Sequence, residues 1–313
     1  MSVLVFTARH VEQAVSPDRA VDAVRDAFIA HARGEWTMPP KTYVTNYPAG
    51  DFRAMPALGG GHALLKWITS FPGNPLQGLP TVSGVVLVSD AETGQLRAVL
   101  DAGSVTALRT GAAAVLAAET LARAGAASAT VIGAGVNGRA AARTFVTRGR
   151  AVRVWDVNAS RAQQVARDLG CGVASSLEEA LADDIVVTVT PGHEVLFASG
   201  SLRAGQHLSL MGADGPGKAE VASSELERSH LFCDDWEQAS HGGELAHAVE
   251  AGLVAQTDVT QIGDVLAGTA GGRAGDHEVT AFDSTGLAIQ DLAIALAALE
   301  RADELPDLAR LEL

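Results

Sequence analysis

Cysteine is scarce: the 313 residues contain only Cys171 and Cys233, far apart and in no spaced motif. That speaks against a disulfide scaffold and fits a reducing compartment. Positive charge is outweighed, with 23 lysines and arginines against 37 acids and a formal net charge of -14. Such a balance argues against nucleic acid and anionic membrane as partners, while leaving room for a local cationic pocket. Long hydrophobic runs are missing as well. The most apolar helical stretch, "GLAIQDLAIALAALE", is too short to span a bilayer and carries Asp291 in its middle. The opening "MSVLVFTARHVEQAV" lacks the basic start, long apolar core and cleavage site of a signal peptide. A cytoplasmic protein without nucleic-acid or membrane partners is expected. No internal repeat, low-complexity block or flexible linker interrupts the chain, which is long enough for two cores.

What is present falls into two rhythms. "SPDRAVDAVRDAFIAHARGE" reads as an amphipathic helix with Ser16 as N-cap, Pro17 in its first turn and a stop at Gly34. From Lys41 to Leu100, short β-rich runs such as "ALLKWITSF" and "TVSGVVLVSD" are separated by turn signals, which predicts a mostly antiparallel sheet. An alanine-rich helix follows, with Ser104 expected as its cap. Beyond it, apolar strands ("ATVIGAG", "AVRVWDV", "DIVVTVT", "HLSLMGAD", "HLFCDD") alternate with helices. That alternation implies a parallel sheet covered on both faces.

"ATVIGAGVNGRAA" places Gly133, Gly135 and Gly138 in the G-x-G-x-x-G spacing, after a strand and at the opening of a helix. A second strand then ends in Asp156, near the distance expected of a carboxylate that binds the adenosine ribose. The glycines permit a tight turn and close approach of a pyrophosphate to the helix N-terminus. Asp156 would repel a 2′-phosphate, so NAD is preferred to NADP, although Arg161 lies nearby. A dinucleotide-binding domain is expected here.

One lysine stands apart. If "ALLKWITSF" is a strand, Lys66 shares a face with Leu64 and Ile68, so its ammonium either reaches water at an edge or serves a purpose inside. Together, "GDFRAMPAL", "LLKWITSFPGNP", "SVTALRTGAAA", "VIGAGVNG", "MGADGPGKAE", "DDWEQASHGGEL" and "FDSTGLAIQDLA" make nearly the whole chain resemble the ornithine cyclodeaminase and mu-crystallin family. Three of these stretches look closest to its archaeal-type alanine dehydrogenases. The resemblance implies an α/β protein in which a Rossmann doubly wound parallel sheet (residues 114–287) is inserted into a β-rich α+β substrate and dimerisation domain (residues 1–113 with 288–313). It also implies a homodimer.

The chemistry implied is hydride removal from the α-carbon of an amino acid to nicotinamide, giving an imine that water or a side-chain amine then attacks. By the same resemblance, Lys66 and Asp214 would be catalytic, and Arg109, helped by Lys41, would hold the substrate carboxylate. Thr110, Val136, Asn137, Thr190, Lys218 and Ser284 would join Gly133, Gly135, Gly138 and Asp156 around the cofactor. Physical chemistry agrees: a partly desolvated lysine crowded by Lys41, Arg53 and Arg109 would have a lowered pKa suited to acid-base work. If Arg53 points inward it repels a diamine, favouring a small amino acid or one with a second carboxylate. Alanine dehydrogenase is therefore the first expectation and an iminosuccinate-type imine reductase the second. An ornithine cyclodeaminase and a non-catalytic NAD(P)-dependent binding protein remain as further alternatives. The residues His230, Cys233, Asp234, Asp235, His241 and His247 show no standard zinc spacing, and no metal is expected. Asp283 reads at least as well as a structural turn residue as a catalytic one.

Overall fold

The chain divides into two compact units, Met1–Arg109 with Leu287–Leu313, and Thr110–Gly286. Residues 2–191, 194–213, 215 and 217–312 are described in the computed structural model. The break between the units falls inside one helix, Ala102–Leu121.

In the first unit, strands β1 (Ser2–Phe6), β2 (Thr42–Asn46), β3 (Gly50–Gly59), β4 (His62–Ser70), β5 (Val82–Asp90) and β6 (Leu96–Asp101) are joined by the last strand of the chain, β15 (Ala309–Glu312). The sheet is ordered β15-β1-β6-β5-β4-β3-β2. From β2 to β6 every neighbour is antiparallel, as the turn signals predict. β1 pairs parallel to β6, and β15 antiparallel to β1, neither of which the local pattern announces.

Strand β4 alternates as its sequence requires. Leu64, Lys66 and Ile68 are buried, whereas Leu65 and Trp67 are exposed on the opposite face. Over the buried face lies the helix Ala288–Leu299, which packs on β3, β4 and β5 and on the helix Pro17–Ala32. Enclosed from several sides, it is apolar nearly all round; burying Leu292 or Ile294 contributes about 1.5–3 kcal/mol each. The Pro17–Ala32 helix starts as expected, with Ser16 Oγ accepting the Arg19 N–H at 3.2 Å. The Ala102–Leu121 helix does not. Its cap is Asp101, whose carboxylate accepts the Ser104 N–H at 2.7 Å, because β6 runs straight into the helix and its final residue takes the cap position.

The second unit holds eight parallel strands: β7 (Ala129–Ile132), β8 (Arg153–Trp155), β9 (Gly172–Val173), β10 (Ile185–Thr188), β11 (His207–Leu210), β12 (His230–Cys233), β13 (Val259–Gln261) and β14 (Thr280–Asp283). Their order, β13-β12-β14-β11-β10-β7-β8-β9, reverses direction between β7 and β10. This is a doubly wound Rossmann-type sheet, in which ligands bind at such a switch point. The central strands are rich in buried apolar residues, such as Val131, Ile132, Ala281 and Phe282. One buried polar group, His207, is satisfied on both nitrogens by Thr280 and Ser209, and burial pulls its pKa down to about 3. No helix among the described residues is long and apolar enough to cross a membrane.

Candidate active site

Lys66 is enclosed, its side chain 1% exposed. Antiparallel register sets Met55 of β3 on one side and Val86 of β5 on the other, so the ammonium rises from the middle of the sheet. Nζ meets Asp291 Oδ2 at 2.7 Å and donates to Thr106 Oγ1 at 3.2 Å. Asp291 also faces Arg109, with Oδ1 3.6 Å from Nε. Burial, with the charges of Arg109 and Lys41, pulls the Lys66 pKa down to about 8 against the opposite pull of Asp291.

Of the three cations expected to crowd Lys66, two do so. Arg53 lies on the same face of the sheet, opposite Ile68, yet it is held by Asp51 at 2.7 Å and its guanidinium lies 5.3 Å from the centre of the Tyr43 ring. Sequence reasoning overlooked Asp51, Thr106 and, above all, Asp291. The signal for Asp291 was visible: the lone charge of a helix whose other residues, Gln290 apart, are apolar. Asp214 lies outside the described residues.

The glycine turn of the second unit behaves as its spacing requires. Gly133 has φ +105°, and a Cβ there would sit 2.7 Å from the Val189 carbonyl. A Cβ on Gly138 would overlap the Gly133 carbonyl oxygen, so this glycine lets the helix Val136–Thr147 close onto the turn. Gly135, the N-cap, faces open space. Close turn, close packing and an unobstructed approach are the three conditions a pyrophosphate site needs. Thr110 Oγ1 is buried without a hydrogen-bond partner among the described residues. These features fit a dinucleotide. Val136 and Asn137 occupy the first helical positions behind Gly135. Asp156 accepts the N–H groups of Ala134 and Asn158, each at 2.7 Å, and a carboxylate retains acceptor capacity beyond two such bonds. Arg161 is exposed.

Around the far strands, the remaining motifs have structural work. Asp234 accepts from Ser284 Oγ at 3.2 Å and from the Gly286 N–H at 2.8 Å, clasping the "DSTG" turn. Asp283 accepts the Leu245 N–H at 3.0 Å; burial, with Asp234 nearby, pushes its carboxyl well above the usual range. Asp235 caps the helix Trp236–Gly242. Thr190 donates to Glu220, a buried carboxyl whose pKa burial raises and the Lys218 charge lowers. Among the described residues no group of three or more histidines, cysteines or acids is arranged to hold a metal ion.

A parallel dinucleotide-binding sheet and a mixed sheet with a buried lysine thus define an α/β protein of two units. The model of the ornithine cyclodeaminase/mu-crystallin family matches residues 1–305, and the chain belongs to that family. It is 42% identical to the alanine dehydrogenase of Archaeoglobus fulgidus over 96% of each chain. To the iminosuccinate reductase of Paracoccus denitrificans it is 32% identical, over 96% of this chain and 97% of that one. Among solved structures, an archaeal alanine dehydrogenase dimer with bound NAD matches at a TM-score of 0.94 and 39% identity, covering all of both chains.

Proposed function

We propose that the protein is an NAD-dependent oxidoreductase acting on the CH–NH2 group of a small L-amino acid, converting L-alanine reversibly to pyruvate and ammonia. The observation that carries this is the buried Lys66, drawn down to about 8 and set beside Arg109. An α-amino acid needs its carboxylate fixed and its ammonium deprotonated before hydride can leave. Arg109, with Lys41, binds the carboxylate; Lys66 Nζ takes the proton, and returns one in the reverse direction. Asp214 orients the amine and relays a proton as water adds to the imine. When bound, NAD supplies the hydride acceptor, held by Gly133, Gly135, Gly138, Val136, Asn137 and Asp156, with Thr110, Thr190, Lys218 and Ser284 completing its contacts.

The pairing of Arg53 with Asp51 favours the small substrate, because the cation that would attract a second carboxylate is already compensated. The iminosuccinate-type reductase is the second reading, supported by Lys41 as a further cation and by the 32% identity to a reductase of that class. Purified protein with NAD and L-alanine, L-aspartate or L-ornithine, followed by NADH absorbance, distinguishes them. Alanine-dependent NADH formation is expected. No turnover with any of the three, and no NADH oxidation with pyruvate or oxaloacetate plus ammonia, overturns the enzyme reading in favour of a nucleotide-binding protein.

A cytoplasmic homodimer is part of the same proposal. Support for the dimer is the face of the mixed sheet opposite Lys66, where Val44, Leu65, Trp67 and Val85 are exposed together beside Phe52, which stacks on Trp67.

A further inference from the structure

We infer that Asp291 is the positioning residue of this site: it fixes the Lys66 ammonium and the Arg109 guanidinium at one point and sustains the charged form of Lys66 that the reductive direction needs. This role rests on the reading of Lys66 proposed above. Asp291 is fully buried, in the first turn of the helix Ala288–Leu299, where the helix N-terminus suits a carboxylate. Among the described residues its ion-pair contacts are Lys66 Nζ, 2.7 Å from Oδ2, and Arg109 Nε, 3.6 Å from Oδ1. No other ion pair among the described residues competes for it.

Burial and two neighbouring cations favour the neutral amine of Lys66. The sheet strips it of water, Arg109 approaches from the helix Ala102–Leu121, and Lys41 acts from the segment before β2. Thr106 offers only a hydroxyl, and Arg53, on the same face, is occupied with Asp51. Asp291 alone opposes them. Without it Lys66 shifts toward the neutral amine near neutral pH, better able to accept a proton from an amino acid and less able to donate one to an imino acid. The carboxylate therefore makes the site bidirectional, and the two directions respond unequally to its loss.

The test uses the full chain, the D291N and D291E variants, and two readouts. Lys66 is one of three lysines, with Lys41 and Lys218, so its 13Cε resonance can be assigned in lysine-labelled protein with K66M as the blank. In wild type it titrates near 8. In D291N the midpoint falls by about one unit or more, as removal of a contact counter-charge predicts, while D291E stays close to wild type. In the assay, the pH limb of amino-acid oxidation moves acidward in D291N by the same interval. At saturating substrates and neutral pH, kcat for amination of the keto acid falls several-fold more than kcat for oxidation does. A purely structural Asp291 would lower yield and stability but leave midpoint and limb in place; that result overturns the inference. If D291N does not fold, D291E decides: a retained midpoint with lowered turnover supports positioning, and a midpoint displaced by a unit or more overturns it. A wild type without amino-acid turnover whose Lys66 still responds to D291N would defeat the proposed reaction, not the Lys66–Asp291 linkage.

Discussion

Lys66 Nζ and Asp291 Oδ2 stand 2.7 Å apart with side chains 1% and 0% exposed, in an environment from which water is removed. Breaking such a pair leaves a desolvated charge and costs about 3–5 kcal/mol, whereas replacing both members is far milder. K66M and D291N are each expected to lose stability of that order in urea denaturation at pH 7. The double variant K66M/D291N should lose less than their sum by about 0.5–3 kcal/mol. K66M also loses turnover while retaining NAD binding; strict additivity, or unimpaired turnover, counts against the pair.

The glycine turn makes a contrasting prediction. Gly135 faces open space in an extended backbone that any residue adopts, so Gly135→Val should fold with stability changed by no more than about 0.5 kcal/mol. It should nevertheless lose NAD binding, read by NADH fluorescence, because the side chain fills the approach. Gly138→Ala meets the Gly133 carbonyl and should destabilise by about 1–3 kcal/mol. Equal effects on stability would contradict the assigned roles.

Glu244 gives the second unit a pH-dependent stability. Its Oε1 accepts the N–H groups of Glu220 and Val221 at 2.7 and 2.6 Å, yet burial lifts its pKa from the ordinary 4.5 to about 8, with Glu220 adding to the rise. Between those values the folded chain holds a proton that the unfolded chain has released, so stability falls as pH rises from about 4.5 to 8. Glu244→Gln keeps the acceptor and removes the proton. It should match wild type near pH 5 and exceed it by a few kcal/mol near pH 8; parallel stability curves would refute this.

The exposed sheet face predicts assembly. Trp67, 38% exposed beside Phe52 and Val85, should be buried between two copies. Trp67→Asp is expected to convert a dimer to monomers in light scattering, with Lys66 and its partners on the other face untouched. A variant that remains dimeric at micromolar concentration places the interface elsewhere.

How much of this was legible depended on sequence distance. The glycine turn was readable because it is a local pattern fixed by spacing; strand alternation put Lys66 on the face of Leu64 and Ile68, and the family resemblance carried the inward reading. The lowered lysine pKa followed from burial and from two of the three cations anticipated. The Asp101 cap was misassigned to Ser104 because the pattern does not mark where a strand runs directly into a helix. Asp291 went unread as a partner because the contact joins opposite ends of the chain; its only local trace was a charge where the helix otherwise carries apolar residues. Asp51 was hidden more simply, two residues from the arginine it compensates on the same strand face.

The first unit is assembled from the opening third of the chain and its final helix, with the dinucleotide-binding unit made in between. On the ribosome, β4 therefore emerges long before the carboxylate that balances its lysine. Until the helix Ala288–Leu299 has emerged, that sheet lacks both a lid and a counter-ion, whereas the inserted unit already has its whole strand set. Maturation should consequently proceed from the middle outward, and a nascent chain halted just before Leu287 would expose the lysine face to chaperones.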